Sequence, residues 1–155
     1  MAITIAAALT GAAQTGFTAP VYNNVADTPP DVASKQYAVT SLGGTQVGVT
    51  AHSSSSPFTI TLSRPKSFQQ LGKAHPVTGL ISNVPNNTYK FLTRKGVTVL
   101  SGQPIRPMLI RTEILVPAGS DTVDAANIRA ALSAHIGVLQ AASAGFGDTV
   151  VSGVL

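Results

Sequence analysis

The chain has 155 residues, a formal net charge of +4 and no cysteine, which excludes a disulfide framework and a thiolate metal site. A domain of this length buries roughly 70% of its unfolded surface, so 1–155 is expected to fold as one domain without metal support. Only 10% of the residues are charged and 44% are hydrophobic. Much of the surface must therefore be uncharged, which favours an oligomer.

The N-terminal segment is apolar but lacks the basic start of a signal peptide. We therefore expect a soluble protein made in the cytoplasm, and no apolar run approaches the roughly 20 residues of a membrane-spanning helix. Alternation of Ile3 and Ile5 with Thr4 is typical of a strand. The segment 1–22 is predicted to form a hairpin with strands at 3–8 and 15–22, followed by a loop over 23–30.

A period of two predicts an antiparallel sheet over residues 36–117. Its predicted strands are 36–41, 46–52, 58–63, 88–100 and 108–116. Glycine, serine and proline separate them, at 43–44, 53–57 and 101–104.

After Pro117 the period becomes helical. Ser120 or Asp121 is a candidate cap, and one amphipathic helix of about five turns is predicted to end near Gly145. The segment 120–155 is thus expected to be helical overall, although residues 146–155 are too rich in glycine for an assignment. The apolar stripe of the helix consists of Ile128, Leu132, Ile136 and Leu139.

These elements predict an α+β fold with a geometric problem. One helix covers only part of one face of such a sheet, so a second subunit or a ligand must cover the rest. Two copies could join their sheets edge to edge, each laying its helix across the joint apolar face. The helical stripe is then a predicted dimer interface, and the isolated monomer is not expected to be stable.

The charges are distributed unevenly along the chain. Residues 32–112 contain nine of the ten Lys and Arg residues and no Asp or Glu. Unpaired like charges destabilise a compact state unless a polyanion offsets them, so nucleic acid is the expected partner. A basic face that is merely solvated is the alternative.

Strand alternation assigns some of these cations to the face opposite the helix. That face would carry hydroxyls and cations suited to phosphates and riboses. The predicted RNA-binding residues are Thr59, Thr61, Ser63, Lys90, Arg94, Arg111 and Glu113. Glu113 could instead be an ion-pair partner, the hydroxyls could be ordinary exposed strand residues, and Arg64 and Lys66 could be either turn residues or nucleic-acid contacts.

Three segments carry a family resemblance. They are Phe58-Thr-Ile-Thr-Leu-Ser-Arg-Pro-Lys66, Asn87-Thr-Tyr-Lys-Phe91 and Arg111-Thr-Glu-Ile-Leu-Val-Pro117, the last followed directly by the helix. In pattern and order, over nearly the whole chain, they resemble the coat proteins of single-stranded RNA bacteriophages.

The resemblance implies an interlocked dimer with a continuous ten-stranded sheet, helices outside and RNA inside, and an icosahedral shell built of dimers. It also implies binding of a genomic RNA hairpin, repression of replicase translation and a location in the virion. The RNA residues implied are the seven already named. A loop that meets its copies at the symmetry axes corresponds to Ser101, Gly102, Gln103, Pro104, Ile105 and Arg106.

Two features depart from the family pattern. Residues 68–87 make a longer connection, and Leu109 stands where some relatives have an aromatic residue that stacks on a base. General RNA binding is still expected, whereas recognition of one hairpin is put in doubt.

Enzyme functions and cofactors are not expected. His52, His75 and His135 lack metal-ligand spacing, Ser53–Ser56 has no acid nearby in sequence, and phosphate-cradling glycine motifs are absent. The alternatives to a coat protein are a standalone basic β-sheet RNA-binding module and a tail or adaptor protein of a DNA phage.

Overall fold

A computed structural model describes residues 3–155, so the first two residues of the predicted hairpin segment lie outside the described residues. Six strands form one antiparallel sheet in chain order, and three helices follow it. The strands are β1 Ala8–Thr10, β2 Thr18–Asp27, β3 Ser34–Thr45, β4 Phe58–Ser63, β5 Asn86–Val97 and β6 Arg106–Pro117. The helices are α1 Ser120–Val123, α2 Ala125–Ala141 and α3 Ser143–Ser152. The predicted α+β class, with a sheet followed by helices, is confirmed.

The first two strands differ from the predicted hairpin. β1 covers only Ala8–Thr10, whereas β2 continues to Asp27 through the predicted loop. Its extra length comes from pairing with β3, since Val25 lies opposite Ala38 and Asp27 lies opposite Gln36. The hairpin is therefore part of one six-stranded sheet.

The predicted strand at 46–52 is wrong. β3 instead continues through Gly43 and Gly44 to Thr45, and the chain then turns. Gly44 has a φ of +69° and lies against the carbonyl oxygen of Ala19, where any side chain would collide. The Gln46 side-chain amide donates to the carbonyl oxygens of Val21 (3.2 Å) and Gly43 (2.7 Å), which closes this turn onto β2.

The predicted single helix is broken, and its predicted cap is wrong. Gly119, with a φ of +84°, is the N-cap of α1 without a side-chain hydrogen bond, and the Ser120 hydroxyl donates back to the Pro117 carbonyl (2.6 Å). Asp124 leaves the helical conformation (φ −137°, ψ 46°), and its carboxylate accepts from the Asn127 amide. The chain then resumes as α2.

The glycine-rich end of the chain is helical after all. α3 is attached to the start of the chain, because the Gln14 amide donates to the Ser143 carbonyl (3.0 Å) and hydroxyl (2.7 Å). Thr15 donates to the Asp148 carboxylate (2.9 Å). These hydrogen bonds join residues far apart in the sequence, and they stabilise a helix that the glycine-rich local sequence does not predict.

The core of the single chain is small. Within residues 3–155, the buried hydrophobic side chains are Ala33, Ala38, Val39, Leu62 and Ala118. No residue of α2 or α3 is buried. None of the helices described is long and apolar enough to cross a membrane.

Candidate nucleic-acid interface

The strand register brings all seven predicted RNA-binding residues to one side of the sheet. Residues directly opposite in an antiparallel pair share a face. Thr59 lies opposite Arg94, and Lys90 lies between Ser63 and Glu113. Arg111 joins them through Leu92. We call this surface the polar face, comprising Gln36, Thr59, Thr61, Ser63, Lys90, Leu92, Arg94, Leu109, Arg111 and Glu113.

Two of the three predicted hydroxyl residues are not open to solvent. Thr59 is 1% exposed and Thr61 is 5% exposed. The Thr59 hydroxyl accepts from Arg94 Nε (3.1 Å), and the Thr61 hydroxyl donates to Gln36 Oε1 (3.0 Å). Alternation correctly predicted their face but not their burial. In the single chain they position Arg94 and Gln36, and RNA contact by these hydroxyls stays a prediction that needs those side chains to move.

The cations of the polar face have different surroundings. Lys90 Nζ forms a salt bridge with Glu113 Oε1 at 2.9 Å, and both side chains are more than half exposed. Glu113 is thus an ion-pair partner, one of the two roles considered for it. Arg94 is held by Thr59, whereas the exposed Arg111 makes no hydrogen bond or salt bridge with residues 3–155. Arg111 is the cation most available to a phosphate.

Sequence reasoning missed the part of this network that reaches β2 and β3. Gln36 Nε2 donates to Asp27 Oδ2 at 2.7 Å, so a chain of hydrogen bonds runs from Thr61 through Gln36 to Asp27. The hydrogen bond from Gln36, then that from the Thr28 amide, hold the pKa of Asp27 below its usual value. Alternation of Ser34, Gln36 and Ala38 along β3 was the signal that could have found Gln36.

A depression lies on the polar face. It has a volume of about 220 Å³ and is lined by Thr61, Ser63, Lys90, Arg111 and Glu113, among others. Its hydroxyls and cations are groups of the kind that contact phosphates and sugars.

Other cations of the basic run lie elsewhere. Lys66 pairs with Asp31 (3.3 Å), and the Arg64 guanidinium lies 5.8 Å from the centre of the Phe68 ring. Lys95 lies on the opposite side of the sheet, where it donates to the Thr50 hydroxyl (2.9 Å) and partial burial lowers its pKa. The long connection between β4 and β5, residues 64–85, contains no helix or strand.

The opposite side of the sheet is apolar and incompletely covered. We call it the apolar face, comprising Phe58, Ile60, Leu62, Tyr89, Phe91, Ile110, Thr112, Ile114 and Val116. A groove of about 570 Å³ separates it from α2, and the predicted stripe of Ile128, Leu132, Ile136 and Leu139 lines that groove. Ile136 is 59% exposed and Leu139 is 46% exposed. The helix therefore faces its own sheet without closing on it.

The predicted loop residues and the histidines lie outside the two faces of the sheet. Ser101–Ile105 lies in the connection between β5 and β6, and Arg106 begins β6. His52 Nδ1 accepts from the Phe58 amide (3.0 Å), and His75 Nδ1 accepts from the amides of Val77 and Thr78 (both 3.3 Å). Among the described residues, no group of three His, Asp or Glu side chains is arranged to hold a metal ion.

The comparisons with known proteins identify the family through a solved structure. No protein-family model matches the chain, and no curated protein sequence matches it. A chain of the virus-like particle of bacteriophage ESE020 is 56% identical, with a TM-score of 0.97 over 99% of this chain and 100% of that chain. At that identity and coverage the two share a family as well as a fold. The chain belongs to the family of bacteriophage coat proteins.

Proposed function

We propose that this protein is the capsid subunit of a single-stranded RNA phage, which assembles in the host cytoplasm as dimers into an icosahedral shell around the genome. The observation that carries the proposal is the full-length similarity to a chain of a bacteriophage virus-like particle. The whole chain, 1–155, would act as one coat-protein domain. A standalone RNA-binding module would not account for that similarity.

The uncovered apolar face supports dimerisation. A second copy that lays its α2 across Tyr89, Phe91 and Ile114 would remove this surface from water, which is the main driving force for association. β6 also supports dimerisation, since it is a twelve-residue edge strand without a neighbour on its outer side among the described residues. Pairing of the two β6 strands would join the two sheets. Each copy would then contribute six strands, whereas the ten-stranded sheet implied by the resemblance takes five from each copy.

The polar face supports RNA packaging. It would be the side away from the helices, so closure of a shell with helices outside turns Lys90, Arg94 and Arg111 toward the interior. Cations that meet phosphates release counterions, which makes binding depend on salt.

Particle assembly is tested by size-exclusion chromatography of the full chain. We expect elution as particles that contain nucleic acid, whereas a stable folded monomer would contradict the capsid assignment.

The RNA assignment is tested by the triple substitution Lys90→Ala, Arg94→Ala and Arg111→Ala. We expect particles with a reduced ratio of absorbance at 260 and 280 nm, and a salt slope of subunit binding that flattens by about 0.7 for each lost contact with single-stranded RNA. The matched control, Lys35→Ala with Lys95→Ala and Arg129→Ala, removes the same charge from the other side of the sheet and from α2. Equal loss of RNA in both variants would mean that only net charge matters.

A further inference from the structure

The connection between β4 and β5, residues 64–85, is attached to the rest of the chain although it contains no helix or strand. The buried Asn87 side chain accepts from the Gln69 amide (2.8 Å) and donates to the Gln69 carbonyl oxygen (3.2 Å). Leu71 lies so close to Gly119 that any side chain on this glycine would collide with it. The connection is therefore held beside the start of α1.

The tip of the connection is a closed turn, residues 75–80, which we call the tip loop. The His75 amide donates to the Leu80 carbonyl oxygen (2.9 Å), and His75 Nδ1 accepts from the amides of Val77 and Thr78. A loop that is ordered before it meets a partner loses less conformational entropy on binding. The tip loop is thus preorganised for contact.

The tip loop presents apolar side chains to solvent. Val77 is 87% exposed, and Leu80 is exposed as well. Exposed apolar surface with polar residues around it is typical of sites that bind other proteins. Burial of valine and leucine against another apolar surface is favourable, whereas a phosphate gains nothing from them. These side chains therefore favour a protein partner over nucleic acid.

The connection is also basic. Residues 64–85 contain three Lys or Arg residues and no Asp or Glu. Lys66 pairs with Asp31, whereas the exposed Lys73, between Leu71 and the tip loop, forms no salt bridge with residues 3–155. A carboxylate on a partner would find this cation free.

A complementary surface lies next to the connection, at the junction of α1 and α2. Val123 is 87% exposed there, and Asp121 and Asp124 flank it without a salt bridge to any residue of 3–155. One chain thus carries an apolar basic patch and an apolar acidic patch side by side. Two copies related by a two-fold axis between these patches would pair basic with acidic twice.

Resting on the proposed capsid role, we propose that the tip loop is a contact between neighbouring dimers, and that its partner is the α1–α2 junction of a second copy. Val77 and Leu80 pack against Val123, Lys73 pairs with Asp124, and the contact is reciprocal. None of these five residues lines the groove beside α2, so the contact closes shells and does not form dimers. Because the family pattern has a shorter connection here, the resemblance does not imply this contact.

Disulfide cross-linking tests the contact, because the chain has no cysteine of its own. Assembled particles of the variant Val77→Cys with Val123→Cys are oxidised and run on a denaturing gel without reductant. We expect covalent pairs of chains and no longer ladder, since a reciprocal contact joins the same two copies twice. The controls are the two single substitutions and Val47→Cys with Val123→Cys, in which the equally exposed Val47 lies beyond the other end of β4. All three should stay single chains.

Three results of the cross-linking would overturn the inference. A ladder would indicate a head-to-tail contact, cross-links from a single substitution would place identical surfaces against each other, and single chains alone would mean that the two patches do not meet. In each case intact particles would leave the capsid role standing. An unaltered chain that forms no particles would contradict the capsid role itself, and the inference with it.

A second pair of variants tests the contact without cysteine. Val77→Asp with Leu80→Asp and Val77→Lys with Leu80→Lys lose similar apolar area, but only the first puts carboxylates opposite Asp124. We expect dimers from both, no closed particles from the Asp variant and more from the Lys variant, measured by electron microscopy and analytical ultracentrifugation. Normal particles from the Asp variant would overturn the inference, and a lower RNA content in them would assign the connection to nucleic acid instead. Equal particle yields from the two variants would refute the charge pairing.

Discussion

The two faces of the sheet differ in how far a single chain completes them. On the polar face, Lys90 meets Glu113, Arg94 meets Thr59 and Thr61 meets Gln36, all within one chain. On the apolar face, α2 has no buried residue and a groove separates it from the strands. Apart from Arg111, the charged and hydroxyl groups named on the polar face find partners within one chain, whereas the apolar surface requires more material than one chain provides.

The difference between the two faces suggests that the apolar face forms the contacts between subunits and that the polar face binds the packaged RNA. The free energy gained by burying the apolar face is proportional to its area and needs no charged group, so it suits a permanent contact between subunits. Exposed ion pairs contribute little to stability and are easily exchanged for a phosphate. Changes on the apolar face should therefore abolish particles, while changes on the polar face should alter their RNA.

The largest effect is expected from Leu132→Asp. This substitution puts a carboxylate into the groove that the proposed dimer closes, and burying an unpaired charge costs far more than a surface change. We expect loss of soluble dimer and of particles, measured by analytical ultracentrifugation. The neighbouring exposed Ser133→Asp is the matched control and should still assemble. A Leu132→Asp protein that stays a folded monomer at micromolar concentration would show that the two chains do not depend on each other.

Deletion of residues 102–105 should separate dimer formation from shell closure. The connection between β5 and β6 lies outside both faces, so dimers are expected to persist, while closed particles are lost or change in size. Electron microscopy of the purified protein measures this. A replacement of the same length by glycine and serine distinguishes loop length from loop sequence. Normal shells from the deletion would remove this loop from the contacts between dimers.

A smaller effect is expected from Glu113→Gln. The carboxylate competes with phosphate for Lys90 at 2.9 Å, so its removal should raise RNA affinity a few-fold. One more cation would then be free, and the salt slope should steepen by up to about 0.7. Asp148→Asn removes one negative charge on α3 and is the control. Reduced affinity in Glu113→Gln would indicate instead that Glu113 itself contacts RNA.

The smallest effect concerns acid. The pKa of Asp27 is lowered mainly by Gln36, and that of Asp31 mainly by the Ser34 hydroxyl. Because both pKa values are lower in the folded chain, the stability they add is present above pH 3.8, the unfolded value, and disappears as pH falls through the folded values. The difference in thermal midpoint between the native chain and Asp27→Asn with Asp31→Asn should therefore shrink with acid. A difference in thermal midpoint that does not change with pH would show that ionisation of these carboxylates does not contribute to stability.

Local patterns in the sequence were sufficient for much of this protein. β4 occupies the predicted 58–63, and alternation along β4, β5 and β6 correctly assigned the seven predicted RNA-binding residues to one side of the sheet. The stripe from Ile128 to Leu139 lines one side of the groove, as its helical period indicates, and its role as a dimer interface stays a prediction. These predictions succeed because side-chain direction follows from a period of two or of 3.6 residues, which the sequence displays directly.

Only the tertiary structure decided where those patterns stop and what each side chain meets. β2 extends to Asp27 because β3 supplies its hydrogen bonds, and the turn after β3 is closed by the Gln46 side chain, which donates to the carbonyl oxygens of Val21 and Gly43. The burial of Thr59 under Arg94 and the attachment of α3 to Gln14 join residues far apart in sequence. Contacts between residues far apart in the sequence do not produce a periodic pattern in the local sequence. The sequence by itself therefore determined the two faces, whereas long-range hydrogen bonds and packing decided that one is complete and the other open.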